Sequence, residues 1–318
     1  MGNALVDIMT KLHDDKPLTQ FNLPKGSMTL VDEDLSTTVR QATAELPSEL
    51  TAGGSACNTI DGLARLGIET AFIGAVSDDD YGTFYKSDLE KNNIVPLLFN
   101  STKPTGRAVA LVTPDSERTF ATHLGAAVDI PLDKITPELF KGYDVFHVEG
   151  YLAYNHALIQ KAVEAASEAG LLISIDMASF NVVDDNLDFL QDIVNRYVDI
   201  CFANEEEARS FTGYEPEQAL EAIATMCTWA IVKVGEKGSM IKYNHEVSQV
   251  GIIEANCIDT TGAGDLYASG FLYGLANDWP MEKCGMAGAM LSGKVIEMFG
   301  ARMKPAVWEE IHREIAKL

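Results

Sequence analysis

From Pro131 onward, apolar runs of strand length alternate with stretches whose apolar residues recur at helical spacing. The runs lie near 144–149, 171–176, 198–202 and 229–234, and the helical stretches near 155–169, 186–196 and 205–212. Such alternation predicts a parallel sheet covered by helices on both faces. The earlier part of the chain is more broken. Gly2 to Ile8 reads as the end of a strand, with polar Asn3 and Asp7 interrupting apolar positions. Residues 9–50 show little periodicity until a helix over 32–45, starting from Asp32 or Asp34. Thr70–Val76 reads as a buried strand, and the acidic run Asp78-Asp79-Asp80 opens a helix to about Asn93. From Ile94 to Ala121, short runs rich in Val, Phe and Thr are broken by Lys103-Pro104-Thr105-Gly106 and Thr113-Pro114-Asp115-Ser116, a hairpin pattern. The tail from Pro280 is helical, with Gly300-Ala301-Arg302 between helices. With no repeat, low-complexity tract or clear linker, a single domain over 1–318 is expected.

Composition narrows the class. Hydrophobic residues make up 47% and charged residues 22%, as in ordinary globular proteins. The net charge of −23 argues against nucleic-acid binding or docking on an acidic membrane. It leaves room for a phosphorylated ligand, because a few local N–H groups and a metal ion outweigh a distant field. The cysteines, Cys57, Cys201, Cys227, Cys257 and Cys284, are odd in number and widely spaced, which fits reduced thiols. No apolar run reaches membrane-spanning length and no basic-then-apolar leader opens the chain, so a cytoplasmic protein is expected.

The chemistry concentrates at Asp259-Thr260-Thr261-Gly262-Ala263-Gly264-Asp265. Small residues run into an amphipathic pattern carried by Leu266, Tyr267, Phe271, Leu272 and Leu275, which predicts a tight turn and a helix starting near Gly264. The first N–H groups of a helix lack internal partners and its dipole is positive there, so an unobstructed start receives anions. A carboxylate at Asp265 would repel a resident phosphate. It makes sense as a base that takes a proton from an attacking hydroxyl, while the N–H groups absorb charge from a transferring phosphoryl group. An ordinary helix start with an acidic first turn fits these residues alone equally well.

The spacing Asp-Thr-Thr-Gly-Ala-Gly-Asp, followed after three residues by Ser269-Gly270-Phe271-Leu272, closely resembles the C-terminal signature of the ribokinase-like (PfkB) family of sugar and nucleoside kinases. Ala52-Gly53-Gly54-Ser55-Ala56-Cys57-Asn58 resembles the N-terminal signature, and no Gly-x-x-x-x-Gly-Lys-Ser/Thr or Gly-x-Gly-x-x-Gly competes. Paired glycines let the backbone approach a ligand.

The resemblance implies a three-layer α/β/α sandwich with a mainly parallel central sheet and a small β lid formed by about 9–50 and 94–124. It implies that Asp265 is the base and that Gly262, Ala263 and Gly264 form the anion hole. Asn3, Asp7, Gly53, Gly54 and Asn58 would hold the substrate, as in the adenosine kinases of the family, and Tyr151 would stack on a base. Asn204 and Glu207, within an Asn-x-x-Glu pattern, would serve Mg²⁺ and the nucleotide phosphates; Lys233, Gly235 and Gly238 belong to a strand and turn beside ATP. A monovalent cation such as K⁺ near Asp259 and Thr261 is possible in the same sense. In the family several residues of the first strand precede the position of Met1, so either the start is shortened or the strand is trimmed. The expected reaction is ATP-dependent phosphorylation of a primary hydroxyl of a nucleoside, adenosine first. A free sugar such as ribose or fructose is the alternative, and a non-catalytic nucleotide- or sugar-binding protein a further one. A monomer or homodimer is expected.

Overall fold

The first strand, β1 (Leu5–Lys11), begins where the sequence pattern expects a strand to finish. Asn3 precedes it, and Asp7 sits inside it. Val6, Ile8 and Thr10 are buried while Leu5, Asp7 and Met9 are half-buried, so the polar residue marks the open face of a one-sided sheet instead of a strand end. The computed structural model describes residues 1–115 and 117–318; Ser116, the last residue of the predicted Thr113–Ser116 turn, lies outside the described residues. The chain divides into two compact units, one of residues 3–57 and 71–130, the other of residues 1–2, 58–70 and 131–318.

In the first unit, β1 is followed by α1 (Lys16–Gln20), β2 (Met28–Leu30), α2 (Glu33–Ala42), β3 (Ser48–Gly53) and the start of α3 (Ser55–Arg65). Then come β4 (Thr70–Ser77), α4 (Asp80–Lys91), β5 (Ile94–Ser101), β6 (Gly106–Val112) and β7 (Arg118–His123). Asp32 caps α2 by accepting from Leu35 N at 2.8 Å. Asp79, the middle of the acidic run, caps α4 through Gly82 N at 2.7 Å and also accepts from Thr105 N and Oγ1, at 2.8 and 2.7 Å.

The main sheet of this unit runs β2-β7-β6-β1-β3, and β6 and β7 form the expected hairpin. Strand β5, read with that hairpin in the sequence, pairs instead with β4 in a separate two-stranded sheet. Register fixes two rows on the Asp7 face: Thr51, Asp7, Ala108, Thr122 and Leu30, and beside it Glu49, Met9, Ala110, Phe120 and Met28. The opposite face is covered, since Arg107, the register partner of Val6, bonds to Ser36 and Thr37 of α2 at 2.7 and 2.6 Å.

The second unit alternates strand and helix as its pattern predicts: β8 (Val145–Glu149), α5 (His156–Glu168), β9 (Leu172–Asp176), α6 (Phe180–Asp185), α7 (Leu187–Tyr197), β10 (Ile200–Asn204), α8 (Glu205–Thr212), α9 (Pro216–Ile223) and β11 (Trp229–Lys233). The hairpin β12 (Ser239–Tyr243) and β13 (Glu246–Val250) follows, then α10 (Ala263–Ala276), α11 (Met281–Val295) and α12 (Pro305–Ile315). The sheet order is β13-β12-β11-β10-β9-β8, with β8 to β11 parallel and β12 and β13 antiparallel.

Helix α10 is buried on every side from Leu266 to Leu272, where the sequence pattern expects an amphipathic helix. Phe202, Ile231 and Ile241 of the sheet pack with its Tyr267, Phe271 and Leu272, while Leu266 packs with Leu291 of α11 and Trp308 and Ile311 of α12. A helix enclosed on every side needs apolar residues on every side. No helix among the described residues is long and apolar enough to cross a membrane.

Candidate active site

The start of α10 is shaped by what cannot be there. Gly262 caps it in the left-handed region at φ +74°, and a methyl group at this position would run into Ala301. Ala263 N–H turns back to Thr260 O at 3.1 Å, so one predicted anion-hole donor is engaged locally. The Gly264 N–H has no partner among the described residues and remains at the positive end of the helix. Asp259 holds the turn, accepting from Thr261 N at 2.9 Å and from Gly300 N at 2.7 Å.

Asp265 is in the first helical turn. Asn58 of α3 donates through Nδ2 to Asp265 Oδ2 at 2.9 Å, and Thr59 Oγ1 donates to the Asp265 carbonyl at 3.2 Å. The sequence assigns Asn58 to the substrate; the structure shows its amide on the predicted base. Asn58 Oδ1 is buried without a partner among the described residues, so an acceptor atom remains beside the carboxylate. One turn along α3, Asp61 pairs with Arg65 and with Arg302. Residues 300–302 therefore brace both the turn before α10 and the helix that carries Asn58.

The parallel strands supply the remaining groups at their C-terminal ends, where open α/β sheets place ligands. Lys233 Nζ donates to Asp176 Oδ2 at 2.9 Å, and Asp176 Oδ1 accepts from Ala178 N at 3.0 Å. Burial favours the neutral forms of both side chains. Their attraction prevails, holding the Asp176 pKa below and the Lys233 pKa above the ordinary values, so the pair is ionic. Asp176 was not singled out in the sequence. The available signal was an acid ending an apolar strand of a parallel sheet.

Asn204 and Glu207 form a full capping box at the start of α8. Asn204 Oδ1 accepts from Glu206 and Glu207 N at 2.9 Å each, while the Glu207 oxygens accept from Asn204 N and Nδ2 at 2.7 Å each. Burial, then the charge of Asp176, pushes the Glu207 pKa up to about 7. Tyr151 lies in a 3-10 turn after β8 and is 37% exposed; partial desolvation of its phenol, then the charges of Asp265, Glu149, Asp176 and Glu207, raises its pKa. It thus stands among the carboxylates of this unit. Gly235 and Gly238 bound a 3-10 turn after β11, closed by Val234 N to Gly238 O at 2.8 Å.

In the other unit, the Asp7 carboxylate lies directly over Gly53, and the Asn3 carbonyl lies over Gly54. A methyl group at either glycine would collide with them. Tyr85 Oη donates to Gly53 O at 3.0 Å and fixes this end of β3.

The donor set fits a nucleotide phosphate, with an open helix start and a largely buried ammonium close by. It fits a divalent ion only in part. Among the described residues no group of three or more His, Cys, Asp and Glu is arranged to hold a metal. Glu207 already accepts two hydrogen bonds, so Mg²⁺ suits this site when phosphate oxygens and water supply most of its ligands.

A carboxylate held at a helix start that suits phosphate is the arrangement a phosphotransferase acting on an alcohol requires. The chain belongs to the pfkB family carbohydrate kinases, matching that family over residues 31–307. It is similar to a probable sugar kinase from Rhizobium etli CFN 42, with a TM-score of 0.87, 32% identity and coverage of 98% of this chain and 96% of that one. The adenosine kinase from Sinorhizobium meliloti superposes with a TM-score of 0.86 and 31% identity, covering 98% and 97% of the two chains. Adenosine kinase 2 of Arabidopsis thaliana is 25% identical, covering 94% of this chain and 93% of its own. The chain is a kinase of the nucleoside and sugar type, with the ribokinase-like fold, and ATP is the phosphate donor that this family implies.

Proposed function

We propose that this kinase transfers the γ-phosphoryl group of Mg·ATP to the primary hydroxyl of a nucleoside, with adenosine as the first choice. One observation supports a nucleoside over a free sugar: the apolar row Met9, Ala110, Phe120 and Met28 runs beside the row that holds Asp7. Met28 and Leu30 are 51% and 59% exposed, so this face presents apolar surface next to a carboxylate. A carboxylate accepts from both hydroxyls of a vicinal diol, as ribose offers. A free sugar asks only for such hydrogen bonds, whereas a base needs flat apolar contact, which contributes about 1–3 kcal/mol per stacked base.

In the proposed reaction Asp265 takes the proton as the acceptor oxygen bonds to the γ-phosphorus and the bond to the β-phosphate oxygen breaks. Asn58 holds the Asp265 carboxylate in place. The N–H of Gly264 offsets charge on the transferring group. Mg²⁺, when bound, neutralises phosphate charge, and Asn204 and Glu207 are the residues proposed to serve it through water.

Rates with adenosine, inosine, ribose and fructose test the reading. Adenosine or inosine should be turned over with the highest kcat/KM. Efficient turnover of a free sugar with none of either nucleoside overturns it.

A further inference from the structure

The Lys233 side chain is largely buried, yet Asp176 takes only one of its three N–H donors, and no other hydrogen bond from it forms among the described residues. It lies against the first turn of α10: a Cβ placed on Gly264 would stand 3.0 Å from Lys233 Nζ. A cation beside the positive end of a helix is unfavourable by itself. The carboxylates of Asp176, Glu207 and Asp265 favour its charge there, but Asp176 alone, among the described residues, is bonded to it. An anion received between the ammonium and the Gly264 N–H makes the arrangement favourable, and the two remaining donors then have an acceptor. Glycine at 264 leaves the space open.

We propose that Lys233 is a catalytic residue whose ammonium, positioned by Asp176, binds the phosphoryl group in transfer together with the first turn of α10. It keeps its proton throughout. The acceptor oxygen gains the bond to phosphorus, the bridging oxygen departs on ADP, and Asp265 holds the proton released. Lys233 balances the negative charge that shifts onto the phosphoryl oxygens and the leaving oxygen. Asp176 is a positioning residue: it keeps the ammonium charged and prevents it from swinging away when no phosphate is present.

The inference rests on phosphate being received at the start of α10 and is independent of which acceptor is used. Calorimetric titration of the wild type, Lys233→Met and Lys233→Met/Asp176→Asn with Mg·ADP and with Mg·AMP-PNP tests it without any acceptor. The double variant removes both buried charges, so it separates loss of the ammonium from loss of the fold, which a thermal melt checks. Mg·ADP should bind all folded variants within about twofold, while Mg·AMP-PNP should weaken by about ten- to hundredfold without Lys233, the range for a charge-assisted hydrogen bond. An unchanged preference for Mg·AMP-PNP in the folded double variant overturns the role of Lys233. Equal weakening of both nucleotides overturns it as well, assigning the lysine to the shape of the site. Failure of wild type to prefer Mg·AMP-PNP over Mg·ADP removes the phosphate site itself. Failure of the nucleoside reading in turnover assays touches none of these outcomes.

Discussion

Asn58 Nδ2 lies 2.9 Å from Asp265 Oδ2, joining the first signature of the chain to the last. The bond sets the orientation of the carboxylate proposed as the base. Asp265→Asn should lower kcat by about 10²–10⁴ with little change in nucleotide affinity. Asn58→Asp, which sets two carboxylates against each other, should lower kcat more than Asn58→Ala. Steady-state kinetics check both, and near-normal turnover in Asp265→Asn removes the base assignment.

Glu207 separates two roles. Glu207→Gln keeps an acceptor for Asn204 N–H, so α8 should lose at most about 1 kcal/mol of capping. If the carboxylate also serves the metal, the Mg²⁺ concentration for half-maximal rate should rise severalfold while acceptor affinity stays the same. An unaltered Mg²⁺ titration leaves Glu207 with capping alone.

Gly53→Ala should act on the acceptor. The added methyl displaces the Asp7 carboxylate, so acceptor KM should rise by roughly tenfold or more while Mg·ADP binds as before. Equal KM values in Gly53→Ala and wild type would release Asp7 from its proposed role.

Phe120→Ala and Tyr151→Ala compare two surfaces for a base. Each alanine that removes a stacking partner should weaken a nucleoside by about tenfold or more and leave ribose nearly unchanged. Phe120 lies in the apolar row beside Asp7 and Tyr151 among the carboxylates, so the larger nucleoside-specific loss is expected from Phe120. Equal effects of Phe120→Ala on adenosine and ribose would argue against the apolar row.

His147 gives the fold an acid limit. Its Nδ1 lies 3.0 Å from Ser174 Oγ in the core. Burial, with the positive Met1 amine and Lys233 adding to it and Asp176 opposing, pushes its pKa down to about 3. The unfolded chain, with an imidazole pKa near ~6.5, then binds the proton better at every pH between the two values. This contribution to stability is complete above about 6.5 and falls with pH by at most about 1.4 kcal/mol per unit. Denaturant titrations at pH 7 and 5 should show wild type losing up to about 2 kcal/mol more than His147→Gln. Parallel losses would mean that His147 is not held neutral.

Local rules made α8 legible to the residue, because Asn204, Glu207 and the left-handed Gly213 mark its two ends in the sequence. The strand-helix alternation after Pro131 was equally plain. β13 was not, since Glu246 to Gln249 is largely solvent-facing and carries no apolar run. Asp7 looked like a strand terminus because a polar residue on an open sheet face breaks an apolar run just as a turn does. The glycines and Asp265 were readable from spacing. The Lys233–Asp176 pair and the row through Phe120 were not, because each depends on which strands become neighbours, and strand order is not written in local pattern.

Gly300 and Arg302 give the far end of the chain leverage over chemistry it never touches. Gly300 restrains Asp259, Ala301 fills the space beside Gly262, and Arg302 grips the helix of Asn58 through Asp61. A larger residue at 301 would wedge the turn open and detune the proposed base and the proposed phosphate cradle at once, with every proposed ligand-binding side chain still in its native sequence. Damage near the C-terminus would then surface first as slow turnover in a well-folded protein, and a screen that looks only at residues in contact with substrate would pass over its cause.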